Sequence, residues 1–397
     1  MKNKNVIIVF CSTVFLAGLI GCGGNGAGSG ATGPTTGTTG NTGTTGNTTT
    51  TGTTNSGGSG YTVEVLPTSS STKVDNSASG IDSAGDVLCG EQVIGAQYYT
   101  TEYSASTKKT TSLTPGMNSR PVAMNDNGLA TANIWTTSST TKAVFWKPGA
   151  TVYTALPTLS GWTSSAVTSV NNSGMVCGYG TNASGAFVPV VWNSTTLAQP
   201  TVLEIDKSGD PCIPSCINDS GQIVGTEDNS LTQTTALYWS SAAAKPTSLA
   251  GQSGAAAGAA HISNTGFIIG YDQSGAENTY WTSPTGSETK FTTQQLTWGG
   301  YNDSGEGVGG VFERFGKARP AVRPVSGMES YPFIWTQSAG FSNLNNLLTS
   351  ASKAQSWTIF PQAINNKGVI AAFGYKPGDT NYSAILLVPS STSGQMR

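Results

Sequence analysis

The chain has 397 residues, only 10% of them charged, with a formal net charge of −2. That balance excludes a nucleic-acid partner, which would require a basic face. Glycine, serine, threonine and asparagine dominate, as expected for an exported all-β protein, and no useful helix-period stretch follows the N-terminal segment.

Met1-Lys2-Asn3-Lys4 supplies a positive start, and the apolar run from Val6 to Ile20 has the length of a secretory signal core rather than a membrane span. It ends in Leu19-Ile20-Gly21-Cys22, which resembles a bacterial lipobox. The resemblance implies that residues 1–21 are a lipoprotein signal peptide and that Cys22 carries the lipid. An ordinary secretory signal with a chance cysteine is the alternative. Gly23 stands where an aspartate would mark inner-membrane retention, so in a Gram-negative host the expected place is the outer membrane or the cell surface. Residues 22–60 are expected to be a disordered Gly/Thr-rich tether, because they hold too little apolar surface to offset ordering entropy. Such a coil spans roughly 35 Å.

From residue 61 to 390 one motif recurs seven times: an apolar residue, a short polar turn, then glycine. The copies are Ile81–Gly85, Met124–Gly128, Val170–Gly174, Ile217–Gly221, Ile262–Gly266, Tyr301–Gly305 and Ile364–Gly368. Their glycines are 43, 46, 47, 45, 39 and 63 residues apart. A period in the forties, rich in Val, Thr and Trp, predicts a seven-bladed β-propeller of four-stranded antiparallel blades. Asn and Asp side chains cap the turn between strands A and B, and glycine supplies the positive φ that closes it.

A tryptophan stands 18 residues after the glycine at Trp146, Trp192 and Trp239, with Tyr103 in the first copy; Trp281 falls nearer and Trp335 further. Recurrence from blade to blade predicts packing between neighbouring blades. Small residues before the turn (Gly80, Ala123, Ser169, Gly300, Ala363) suit strands crowded around an axis. His261, the only histidine, takes this place in the fifth copy and is expected to be structural. The last copy ends at a third strand, Ala384–Val388, so Tyr61–Leu66 is expected to supply the missing fourth and close the ring; 391–397 is a tail. Cys212 and Cys216 suggest a local disulfide, with free thiols as the alternative, while Cys89 and Cys177 read as small buried residues.

Ile217-Asn-Asp-Ser-Gly-Gln-Ile-Val-Gly225 followed by Ala236-Leu-Tyr-Trp239 resembles the HAF-type extracellular repeat family of bacteria, and the likeness covers residues 78–389. The family's His-Ala-Phe is replaced by Lys142-Ala143-Val144 and Thr235-Ala236-Leu237, which marks a divergent member. The resemblance implies an exported repeat propeller and carries no catalytic residues.

The expected binding face holds the B–C and D–A loops. There the candidates are Trp135, Trp162, Trp357 and Tyr179, suited to stacking on sugars or docking a protein; plugging the channel mouth is the alternative. An insertion in the sixth copy carries Arg314, Lys317, Arg319 and Arg323, which would take acidic groups if it does not simply remain solvated. Glu227, Asp228, Asp272 and Glu277 are the acidic residues assigned to B–C loops, without a nucleophile–base motif, phosphate loop or metal set beside them. The Asn-Asp-Ser-Gly turns lack the spaced ligands of a calcium loop. No catalytic residue, metal or cofactor is expected. The reading is a monomeric, surface-tethered binding propeller for a glycan or protein, touching the membrane only through Cys22; the alternatives are an envelope scaffold or, less favoured, a carbohydrate-active enzyme.

Overall fold

The computed structural model describes residues 60–70, 74–93, 98–205, 211–230, 233–250, 257–272, 279–291, 296–311 and 331–390. Its organising unit is the polar turn. In the second copy the Asn125 Oδ1 accepts hydrogen bonds from the Asn127 and Leu129 backbone amides, at 3.1 and 2.9 Å. The same closure recurs on Asp82, Asn171, Asn218, Asn302 and Asn365, and on the Ser263 hydroxyl. The glycine that ends each turn takes a φ between 72° and 92°, a region that only glycine enters without strain.

Each turn joins strands A and B of a four-stranded antiparallel sheet, and there are seven such sheets. Six are consecutive in the chain, at 74–112, 119–155, 162–202, 212–248, 257–290 and 296–343. The seventh takes strands A to C from Thr358–Ile364, Ile370–Tyr375 and Ser383–Pro389, and its outer strand from Tyr61–Val65. The ring is therefore closed by the N-terminal strand, as the sequence predicts. Tyr61 faces Pro389 and Val65 faces Ile385. Beyond that ladder Ser390 clasps Gly60 through its hydroxyl, which accepts from the Gly60 amide at 2.8 Å.

Every A–B pairing carries a register shift at the same place, from Ala78/Gly80 in the first blade to Pro361/Ala363 in the last, and the third blade has a second one at Trp162/Ser164. One extra residue bends the innermost strand and reverses which face its side chains point to. This explains why the anticipated Cys212–Cys216 bridge does not form. Cys212 is a buried free thiol in the core between the third and fourth blades, whereas Cys216 packs in the core between the fourth and fifth. Two residues four apart on an extended strand are also roughly 13 Å from one another. Cys89 and Cys177 are buried free thiols, each in an interblade core.

Seven apolar clusters stand at the seven blade junctions. Trp146, Trp192, Trp239 and Trp281 are fully buried in them. Three of these indoles donate across a junction to the preceding blade: Trp192 to the Pro157 carbonyl, Trp239 to Glu204 and Trp281 to Ala250, at 2.7–2.8 Å. Small residues before the turn are required, since a Cβ on Gly80 would lie 2.9 Å from the Met124 amide nitrogen. His261 is buried in this layer, and burial lowers its pKa to about 4, so it is neutral at physiological pH.

Candidate functional site

The two ends of the propeller axis differ in chemistry. At the A–B turns the second turn residue runs, from the first blade to the seventh, Ser83, Asp126, Asn172, Asp219, Asn264, Asp303, Asn366. The Asn172 amide nitrogen donates to carboxylates on both sides, at 3.0 Å to Asp219 and 3.4 Å to Asp126. Asn264 donates to Asp219 at 2.8 Å and also bonds Asp303, and Asn366 donates to Asp303 at 3.4 Å. An inner belt lies beneath. Asn125 donates to the Asn171 carbonyl, Asn171 to Asn218 and Asn218 to Ser263, at 2.8–2.9 Å. Asn302 continues to Asn365 and Asn365 to Asp82, both at 3.0 Å.

These acids are committed to holding the blades together. Burial still raises three of them: Asp126 to about 7, with Asp303, Asp219 and Asp82 adding repulsion against a bond from Asn172, Asp303 to about 6, and Asp82 in the same direction. Among the described residues no three His, Cys, Asp or Glu side chains form a metal-ligand set.

The opposite end carries the loops. Strand B of the second blade (Ala130–Trp135) and strand C of the first (Tyr98–Ser104) both reach it beside the D–A connection. Asn118 in that connection fixes both: its Oδ1 accepts from the Tyr98 amide at 3.1 Å and its carbonyl from the Trp135 amide at 2.9 Å. Tyr98 is 47% exposed and Trp135 half-buried.

Between them, on the innermost strand Ser119–Met124, stands Arg120. The Ser119 hydroxyl is turned to the first blade, where it bonds Thr100 and Thr114, so the next side chain leaves from the other face of the strand. Arg120 is half-buried, and its guanidinium makes no hydrogen bond or ion pair with the described residues. Its cross-strand neighbour Asn133 cannot serve it, because that carboxamide is spent on the Val167 amide and carbonyl at 2.8 and 3.2 Å. Burial lowers the Arg120 pKa, and the Tyr98 phenol lies within electrostatic reach to oppose that shift. This corner offers aromatic rings beside a fork of unused donors.

Of the anticipated aromatic platform, Trp135 alone has the setting of an open site. Trp162 is half-buried; its ring lies over Gly180 and meets Trp192 edge-on at 6.3 Å. Trp357 is only 6% exposed, packs in the junction between the sixth and seventh blades, and has the Lys376 Nζ 5.2 Å over its ring. Tyr179 is equally buried, against Phe187 at 4.8 Å. These three therefore pack the fold rather than stand clear of it, with Gly180 and Gly374 leaving room for the Trp162 and Trp357 rings. Arg314, Lys317, Arg319, Arg323 and Glu277 lie outside the described residues, as does Cys22.

The acidic residues assigned to B–C loops sit instead on B strands. Glu227 and Asp228 belong to Ile223–Ser230, and Asp272 ends Ile268–Asp272. Glu227 is buried opposite Cys212. Tyr98 and Arg120 were not singled out from sequence. Aligning the inner strands on their bulges exposes Arg120, because the matching residues are Ser77, Ala166, Ile213, Gly258, Thr297 and Phe360.

No family model and no curated protein sequence matches this chain. Solved structures do share its architecture. A puromycin hydrolase mutant complexed with PGG matches with a TM-score of 0.53 at 13% identity, over 80% of this chain and 52% of its own. An oligogalacturonate lyase from Vibrio parahaemolyticus matches with a TM-score of 0.49 at 8% identity, over 84% and 98%. TolB from Acinetobacter baumannii matches with 0.36 at 10%, over 82% and 66%. The chain spans about half the length of the puromycin hydrolase and of the prolyl endopeptidase that it also resembles. The fold is a seven-bladed β-propeller. At such identities the likeness concerns the fold alone, which hosts enzymes and non-enzymes.

Proposed function

We propose that this chain is a surface-tethered, non-catalytic binding propeller that recognises a glycan or a protein through the face carrying the B–C and D–A loops. The observation supporting it is the corner at Asn118, where exposed Tyr98 and half-buried Trp135 accompany an Arg120 that makes no hydrogen bond or ion pair with the described residues. Rings with one accessible face and an unpaired cation are features that bind rather than brace. A lipid on Cys22 and the 22–60 tether would hold this head at the outer membrane or cell surface, consistent with the divergent HAF-type repeats.

The second reading, an interaction scaffold in an envelope assembly, is favoured by apolar side chains on the blade flanks: Val152, Leu197 and Val202 are 76, 42 and 46% exposed. A glycan array probed with the wild-type head and a Tyr98→Ala/Trp135→Ala variant separates the two. Binding that the variant loses supports recognition at this face. Silence on neutral and acidic glycans alike removes the glycan and moves the reading to a protein partner.

A further inference from the structure

The aromatic residues of this fold recur blade after blade, so a shared core explains them. Arg120 does not recur. At the inner-strand position just before the residue that precedes the bulge, the other six blades carry Ser77, Ala166, Ile213, Gly258, Thr297 and Phe360. Among the described residues no hydrogen bond or ion pair satisfies this half-buried cation. Taking a charge partly out of water without a partner is costly, and a planar fork of donors is matched best by a carboxylate.

The surroundings narrow the class of anion. Trp135 lies two residues beyond Asn133, the cross-strand partner of Arg120, on the same face of its strand. That places the ring roughly 7 Å along the strand from the guanidinium's row, about the reach of one pyranose. Tyr98 stands on the other side of Asn118 with its ring open to solvent.

Resting on the binding reading above, we propose that Arg120 is the seat for the carboxylate of an acidic sugar, a uronic acid residue in a glycan, whose pyranose ring lies against Trp135. The carboxylate takes the guanidinium fork, and the apolar face of the ring covers the indole. A neutral glycan meets the indole but leaves the cation unpaired.

The test is calorimetric titration of the full chain in detergent with a trigalacturonate and with its methyl ester, against Arg120→Gln, Arg120→Lys and Trp135→Ala. Wild type should bind the free acid about tenfold or more tightly than the ester, and both Arg120 variants should lose that preference. Trp135→Ala should weaken both ligands. Arg120→Gln should melt at or above the wild-type temperature, since it removes an unpartnered charge. A marked fall in its melting temperature would make Arg120 a structural residue and overturn the seat.

Equal binding of acid and ester, or affinity retained in the Arg120 variants, refutes the carboxylate seat. The binding reading still stands if Trp135→Ala abolishes that affinity. No binding of either probe refutes the acidic-sugar assignment, and the flanking face is then judged by its capture of a neutral glycan on the array. Saturable binding of an acidic peptide in place of the trigalacturonate transfers the seat to a protein partner.

Discussion

Replacing Asp126 by asparagine should stabilise this propeller at alkaline pH and much less at acid pH. Asp126 is 9% exposed, its Oδ1 is buried with no hydrogen-bond partner, and its Oδ2 has only the long bond from Asn172. Burial, with repulsion from Asp303, Asp219 and Asp82, lifts its pKa from 3.8 to about 7. The folded value lies above the unfolded one, so between them the folded state holds a proton that the unfolded chain has released. The stabilisation this gives is complete below about pH 4 and is lost as pH rises through about 7. A shift of about three units sets a ceiling of ~4 kcal/mol. Water and counter-ions at the channel end reduce the useful figure to ~1–2 kcal/mol. Asparagine keeps the shape and an acceptor for Asn172 while removing the charge. Urea or thermal denaturation of wild type and Asp126→Asn at pH 5 and pH 8 measures the effect. The variant should gain ~1–2 kcal/mol at pH 8, roughly 2–4 °C, and only about a third of that at pH 5. An equal gain at both pH values, or a loss at pH 8, refutes the reasoning and makes the ionised carboxylate a required part of the belt.

The interblade indoles are not equivalent. Trp239→Phe removes a bond to the Glu204 carbonyl and should cost about 1 kcal/mol more than Trp146→Phe, whose indole nitrogen is buried without a partner; equal losses by chemical denaturation would count against the bond. Gly225→Ala should destabilise by about 1–3 kcal/mol, because the added methyl would lie 2.4 Å from the Ile213 carbonyl oxygen, with backbone rather than a movable side chain as its neighbour. Glu64→Pro removes a ladder donor opposite Leu386 and should loosen the closing strand, read as a lower melting temperature and faster proteolysis near residue 60; an unchanged melt would mean that the closure adds little.

Much of the architecture was legible because it depends on local chemistry repeated seven times. Asx turns ending in glycine locate the hairpins, and the +18 aromatics locate the third strands. The missing fourth strand of the last copy points to Tyr61–Val65. What stayed hidden depends on parity along the inner strand. Counting by twos from the turn places Cys212 and Cys216 on one face, and the bulge between Pro214 and Cys216 separates them. Exposure of aromatics was equally hidden. Trp162 and Trp357 start or precede inner strands at the loop end, yet glycines at 180 and 374 on the neighbouring strand make room for their rings. Arg120 has no motif around it, and only alignment on the bulge shows that it departs from its six counterparts.

The turn-end belt shows how the repeat number itself shapes the sequence. A carboxylate only accepts hydrogen bonds, and a carboxamide nitrogen has two hydrogens to donate. Alternating Asp and Asn around a ring therefore lets each amide serve both neighbours, as Asn172 does between Asp126 and Asp219. A ring of aspartates alone would have no donors and would repel itself. Seven positions cannot alternate two residue types, so one place must break the pattern. The break falls on the first blade, where Ser83 stands between Asn366 and Asp126. A hydroxyl can donate and accept, and here it donates to the Asp126 carbonyl at 2.8 Å while the Ser83 amide reaches the same oxygen at 3.2 Å. The inner belt bends to the same constraint: Asp82 cannot donate as asparagine does, and the bonds from Ser83 cross that junction in its place. An odd-numbered ring requires one copy to differ, and here it is the first, with Ser83 in place of the amides and acids of the others.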